Sequence, residues 1–261
     1  MTAVLAEQIG RADRARCRLH RDAELQAWHD LLASIEGDDW HRRTVCDEWD
    51  VADIAGHLIG HAEDVIKPWS FPRRWLKNKR VYPGVPRFDA HMMVQADEHR
   101  GTPPAEVRAL FDRLWAKATR AISRNPELIR RFTMQVEDAP PFSLGYIRDI
   151  LLARDLWMHR DDVCQALGRP FDAGPYADEL IGQVVYDLEA SGPFWADRPA
   201  VLLELTGQGG GTYQVGRGEP VGRASVDAVS YMRTLSGRDD SPVVTGDPAA
   251  AEAVASCRMP F

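Results

Sequence analysis

Cysteine is scarce. Cys17, Cys46, Cys164 and Cys257 are the only four in 261 residues, and no two are spaced as Cys-x-x-Cys. This excludes a zinc knuckle and a disulfide scaffold, and reduced thiols in a cytoplasmic protein are the simplest reading. Long apolar runs are missing as well. The first twenty residues are broken by Glu7, Arg11, Asp13 and Arg14, so they do not resemble a secretory signal, and no other run is apolar enough to span a bilayer. Positive charge is not in surplus either. A formal net charge of -7 argues against an overall electrostatic footprint for nucleic acid or for an anionic membrane surface. The remainder, 44% hydrophobic and 27% charged, excludes disorder over most of the chain. It gives one large domain or two smaller ones.

Apolar and aromatic residues at Leu25, Trp28, Leu31, Leu32 and Ile35 recur every three or four positions and predict a helix that Gly37 ends. Asp50 is a candidate N-cap with Asp53 three positions on, opening a helix through Val51, Ile54, Leu58 and Val65 that Pro68 closes. Trp69 to Pro86 mixes prolines and Gly84 with Arg73, Arg74, Lys77, Lys79 and Arg80, and reads as a long irregular loop of the kind that forms lids. Its short basic stretch around Trp75 is a weak case for nucleic acid in an acidic chain. Helices follow from Asp89 to His99 and after Pro103-Pro104, and Ser143 caps another that ends at Gly168-Arg169-Pro170. Beyond Pro170 the pattern changes to short strand-like segments, Ala200 to Thr206, Thr212 to Val215 and Pro242 to Thr245, with helices at Asp227–Leu235 and Pro248–Ala255. The glycines of TGQGGGTYQVGRG precede strand-like residues, which indicates a hairpin and not a phosphate loop.

Positions four apart share a helix face, so Asp155 and His159 present a carboxylate and an imidazole side by side, and His57 and His61 present two imidazoles. Two such helices face to face could hold one divalent ion. The bland alternatives are a core His57 bonded to Asp53 under Trp49, and an Asp155 paired with Arg154 or Arg160.

The stretch Thr44-x-Cys46-x-x-Trp49-x-Val51-x-Asp53-x-x-x-His57-Leu58 resembles the N-terminal signature of the mycothiol-dependent maleylpyruvate isomerase family. A second signature is similar to Asp155-Leu156-Trp157-Met158-His159-Arg160-x-Asp162 with Ala166-Leu167-Gly168-Arg169-Pro170. Thr206-Gly207, Gly209-Gly210-Gly211, Ser236-Gly237-Arg238 and Gly246-Asp247 carry the likeness through the C-terminal part. The resemblance implies an α+β protein, with a DinB-like four-helix bundle over 1–170 followed by a small α/β, sterol carrier protein-like domain over 171–261. It implies one divalent metal, usually zinc, on His57, Asp155 and His159, and mycothiol as thiol cosubstrate.

The implied chemistry is a metal-activated thiolate attacking a small electrophile, as in maleylpyruvate cis-trans isomerisation or thiol S-transfer. The C-terminal domain is then expected to close over the metal, with Arg238 meeting a substrate carboxylate; the bland reading of Arg238 is a helix C-terminal cation. Asp162 either bonds a ligand histidine or braces its helix. Isomerases of the family carry glutamate where Asp155 stands, one methylene longer, which leaves His61 available as a fourth ligand; a closed four-ligand site is a poor catalyst. A non-catalytic metal- or small-ligand-binding protein is the competing reading. Neither nucleic acid nor a membrane is expected as a partner, and the sequence leaves the oligomeric state open.

Overall fold

A computed structural model describes residues 3–46, 48–135, 141–190 and 194–259. Strand β1 is Val4–Leu5, followed by a single helical turn, α1 (Ala6–Ile9), and the long helix α2 (Arg14–Ser34). A tight turn at Gly37–His41 leads to α3 (Val51–Ile66), α4 (Ser70–Val81), α5 (Arg87–His99) and α6 (Pro104–Ser123). After the short α7 (Glu127–Arg130), β2 (Thr133–Met134) and β3 (Phe142–Ser143) pair antiparallel. The chain then forms one helical run: α8 (Leu144–Tyr146), a wide π turn over Ile147–Leu151, and α9 (Leu152–Ala166). The rest comprises α10 (Ala177–Ala190), β4 (Val201–Thr206), β5 (Gly211–Val215), β6 (Arg223–Asp227), α11 (Ala228–Leu235), β7 (Thr245–Gly246) and α12 (Pro248–Ala255). Among the described residues no helix is long and apolar enough to cross a membrane.

The architecture is α+β, in two compact units: Arg21–Phe171, and Met1–His20 with Asp172–Phe261. This differs from a plain division at residue 170, because β1 lies parallel to β5 in the sheet of the second unit, Val4 opposite Tyr213. The five strands run β1-β5-β4-β6-β7. Val201, Leu203 and Leu205 alternate inward along β4, and α10 buries Ile181, Val184, Val185 and Leu188. The glycine run is the β4–β5 hairpin. Gly207 and Gly209 adopt positive φ, and a Cβ on Gly210 would stand 2.4 Å from the Leu205 carbonyl oxygen.

In the helical unit, α3 is the central element. The Asp50 side chain accepts from the Asp53 amide and Asp53 answers on the Asp50 amide, the reciprocal cap expected from their spacing. Val51, Ile54, Ala55, Leu58, Ile59 and Ala62 are all fully buried. Helix α2 is tied to α9 by Trp28 Nε1, which donates to the Leu156 carbonyl at 2.8 Å, and by the buried Arg160–Glu24 pair.

Gly56 and Gly60 form the seam against α5, where a Cβ on Gly60 would stand 2.5 Å from Gln95 Cβ and 3.2 Å from its Cα. Backbone cannot yield as a side-chain tip can. Gly60→Ala is therefore expected to cost about 1–3 kcal/mol, read from urea denaturation, despite alanine's better helix propensity. An unchanged midpoint would show that the seam is not tight.

The segment from Trp69 to Pro86 is not an irregular loop: most of it is helix α4. Its buried residues, Ser70, Arg74 and Asn78, are polar and four apart, while Leu76 is 79% exposed, so the usual apolar stripe is absent. Arg73, Arg74 and Lys77 all pair with Glu98, so these charges serve the interior of the unit.

Candidate metal centre

Two helices supply the site. His57 and His61 lie one turn apart on α3, Asp155 and His159 one turn apart on α9, and the helices pack so that the pairs face each other. The Asp155 carboxylate stands among three imidazoles. Its Oδ2 is 3.4 Å from His57 Nε2 and 3.3 Å from His61 Nε2, and its Oδ1 is 3.4 Å from His159 Nε2. The Trp49 ring lies 4.8 Å from the His57 ring and 5.7 Å from that of His159, walling the site with indole. The π turn lies directly before the helix that carries Asp155, and such turns recur at functional sites.

His57 is completely buried, and neither of its ring nitrogens nor Asp155 Oδ2 makes a hydrogen bond of good geometry. Burial lowers the His57 pKa to about 3, so the ring is neutral with a lone pair to offer. Burial opposes ionisation of Asp155, yet the His159 charge and the facing imidazoles hold its carboxyl well below the usual range. Burial also works against a charge on His159. Asp155, helped by Asp162, outweighs it and raises the His159 pKa well above that of a free imidazole.

His159 Nδ1–H donates to Asp162 Oδ2 at 2.8 Å, and the Cys46 thiol reaches the same oxygen at 3.5 Å. A histidine whose Nδ1 is held by a carboxylate presents Nε2, the arrangement usual in metal-ligating histidines. Asp162 thus bonds the histidine, the first of its two expected roles.

The donor set fits a divalent ion. A buried imidazole with two unpartnered nitrogens, beside an ionised carboxylate oxygen without a hydrogen bond, is an arrangement that water-free burial penalises unless something else satisfies it. Around a tetrahedral zinc with bonds of about 2.0–2.2 Å, neighbouring donor atoms stand about 3.3–3.5 Å apart. The separations of 3.4 and 3.3 Å from Asp155 Oδ2 to His57 and His61 lie in this range, and His159 stands 3.4 Å from the other oxygen, Oδ1.

The structure brings His57, Asp155 and His159 together, and adds His61. By distance His57, His61 and Asp155 form one group that could hold a metal, and Cys46, His159 and Asp162 a second group around the other nitrogen of His159. The Asp53 side chain does not bond the His57 ring: it caps α3 and accepts from Arg100 Nε at 3.0 Å. Arg160 pairs with Glu24 and not with Asp155. Arg238 belongs to the second unit. Its amide donates to the Arg233 carbonyl and that of Gly237 to Thr234, closing α11 with Gly237 at positive φ, and its side chain is half-buried. The residues that sequence reasoning missed are Gln95 and Asp64, which bear on His61. Their one signal is the polar stripe His91, Gln95, His99 at four-residue spacing on α5.

Fold and centre together define an α+β protein whose helical unit holds a histidine–carboxylate cluster on two facing helices. Residues 21–164 match the family model of the mycothiol maleylpyruvate isomerase N-terminal domain, and the chain belongs to that family. Two solved structures share the fold. A crystal structure of the mycothiol-dependent maleylpyruvate isomerase aligns with a TM-score of 0.57 at 13% identity, and one of a histidine-to-alanine mutant of that enzyme aligns at 0.59 and 11%. Each alignment covers 95% of this chain and 97% of the other. No curated protein matches the sequence.

Proposed function

We propose that this protein is a metal-dependent enzyme that activates a low-molecular-weight thiol, mycothiol, for attack on a small electrophile, either in cis-trans isomerisation of maleylpyruvate or in S-transfer. The observation that carries the reading is the buried, neutral His57, its nitrogens unpartnered beside an ionised Asp155. We read α2, α3, α6 and α9 as the main helices of a DinB-like bundle, and the protein as cytoplasmic.

His57, Asp155 and His159 would hold the ion, with zinc the metal that best suits two imidazoles and a carboxylate. When bound, it supplies a Lewis acid that favours the thiolate form of a coordinated thiol. The chain's own residues do the rest. Asp155 contributes the compensating negative charge, Asp162 fixes the His159 ring, and Trp49 excludes water from one wall. None of the four cysteines is needed as nucleophile, and none forms a disulfide. Arg238 is assigned to a substrate carboxylate, which its planar fork suits.

Elemental analysis of the purified protein tests the centre: about one zinc per chain is expected. Absence of metal even after reconstitution would overturn the enzymatic reading. Turnover of maleylpyruvate with mycothiol, set against conjugate formation from other electrophiles, separates isomerase from transferase. Arg238→Ala is expected to lower kcat/KM for a carboxylate substrate roughly 10- to 150-fold, the loss of about 1.5–3 kcal/mol in charge-assisted bonds, with metal content unchanged. Equal loss with an uncharged electrophile would refute the assignment.

A further inference from the structure

Distance alone groups His61 with His57 and Asp155, while His159 stands as near to the other oxygen of the same carboxylate. His61 Nε2 lies 3.3 Å from Asp155 Oδ2, and His159 Nε2 lies 3.4 Å from Oδ1. The groups behind the two rings separate them.

Behind His159 stands an acceptor, the Asp162 carboxylate. Behind His61 stands a donor: Gln95 Nε2 is 3.3 Å from His61 Nδ1. The Gln95 amide is not free to turn over. Its nitrogen also lies 2.7 Å from Asp64 Oδ2, so a flip would set an amide oxygen against a carboxylate oxygen. Asp64 is in turn anchored by Arg74 Nη1 at 2.7 Å and by His91 Nε2 at 2.8 Å. Gln95 is completely buried, and the Gly60 seam holds it against α3. Arg74, Asp64 and Gln95 therefore form a relay of fixed polarity that ends in an N–H aimed at His61 Nδ1. A neutral imidazole that accepts at Nδ1 carries its one proton on Nε2 and has no lone pair there for a metal, whereas His159, its Nδ1–H held by Asp162, frees Nε2 as soon as its ring is neutral.

We infer that His61 stands outside the ligand set and presents an Nε2–H donor to the open side of the centre, where it binds an anionic sulfur or oxygen of the activated cosubstrate. The donor matches the charge that a bound thiolate carries, and keeping His61 off the metal preserves a three-ligand, open centre. The thiolate-binding part rests on the function proposed above, whereas the tautomer is a property of the chain alone.

The test has a part that needs no metal. Nitrogen-15 NMR of the histidine rings in the metal-free protein should show His61 as the Nε2–H tautomer, and Gln95→Leu should abolish that preference. A His61 ring protonated at Nδ1 alone would overturn the inference. With cobalt(II) as probe, His61→Ala should retain one ion per chain with affinity lowered no more than about tenfold, while mycothiol binding, read from the cobalt–thiolate absorption band, weakens by about tenfold or more. Loss of cobalt from His61→Ala as complete as from His57→Ala would also overturn it. Should the wild-type chain bind no cobalt, the metal reading and the thiolate-binding role fail together, and the NMR result still decides where the His61 proton sits.

Discussion

His57→Ala is expected to lose bound metal and thiol-dependent turnover without losing the fold. Removing a residue that only steadies a ligand costs roughly 10–100-fold in metal affinity, and removing a ligand should exceed that range. The stability of the metal-free chain should change little. His57 makes no good hydrogen bond there, so the penalty of a buried, unsatisfied imidazole disappears along with its packing. The discriminating measurement is thermal denaturation with and without zinc. Wild-type protein should gain stability with the logarithm of zinc concentration, and the variant should not respond. A zinc-dependent rise in the variant's Tm equal to that of wild type would remove His57 from the ligand set.

The largest loss of stability is expected from Arg74→Ala. This completely buried guanidinium bonds Glu63, Asp64 Oδ1 at 2.7 Å, Glu98 Oε2 at 2.9 Å and the Gly60 carbonyl at 2.9 Å. Its deletion leaves three largely buried carboxylates facing one another without their common cation. Breaking a buried ion pair from one side costs about 3–5 kcal/mol, and at roughly 2–4 °C per kcal/mol the midpoint should fall on the order of 10 °C. Arg74→Met, which refills the volume but not the charge, should recover little. A fall of less than 1 °C in either variant would mean that the carboxylates have found other partners.

The contrast between α3 and α4 explains how much could be read from the sequence. On α3 the apolar residues point inward, the Asp50–Asp53 cap is a local signal, and the spacing of His57 and His61 follows from the helix; the same holds for Asp155 and His159 on α9. On α4 the inward residues are Ser70, Arg74 and Asn78, matched to carboxylates on other helices, and the exposed Leu76 reverses the pattern. Binary patterning fails when the interior it faces is itself charged. The sequence pattern marks neither α10 nor β6, where buried polar groups such as Gln183 and Asp187, and a strand opening on exposed Arg223, dilute the periodicity. The four central site residues were legible in pairs because helix geometry fixes each pair. The orientation of each imidazole was not, because it depends on Asp162 for one ring and on Gln95, from a third helix, for another.

The parallel pairing of β1 with β5 also orders events in time. Val4 meets Tyr213 only after about two hundred intervening residues have been made, which at roughly 5–20 residues per second takes about 10–40 s of synthesis. For about the last forty residues of that interval, once Phe171 has been made, the helical unit, whose contacts lie between Arg21 and Phe171, is complete and free to collapse, while the strand that precedes it has no sheet to join. Nascent chains stalled at about residue 200, with the helical unit made and the sheet not, should therefore protect α3 from proteolysis and leave residues 3–13 open to it, and the second unit should close last, from both ends of the chain at once.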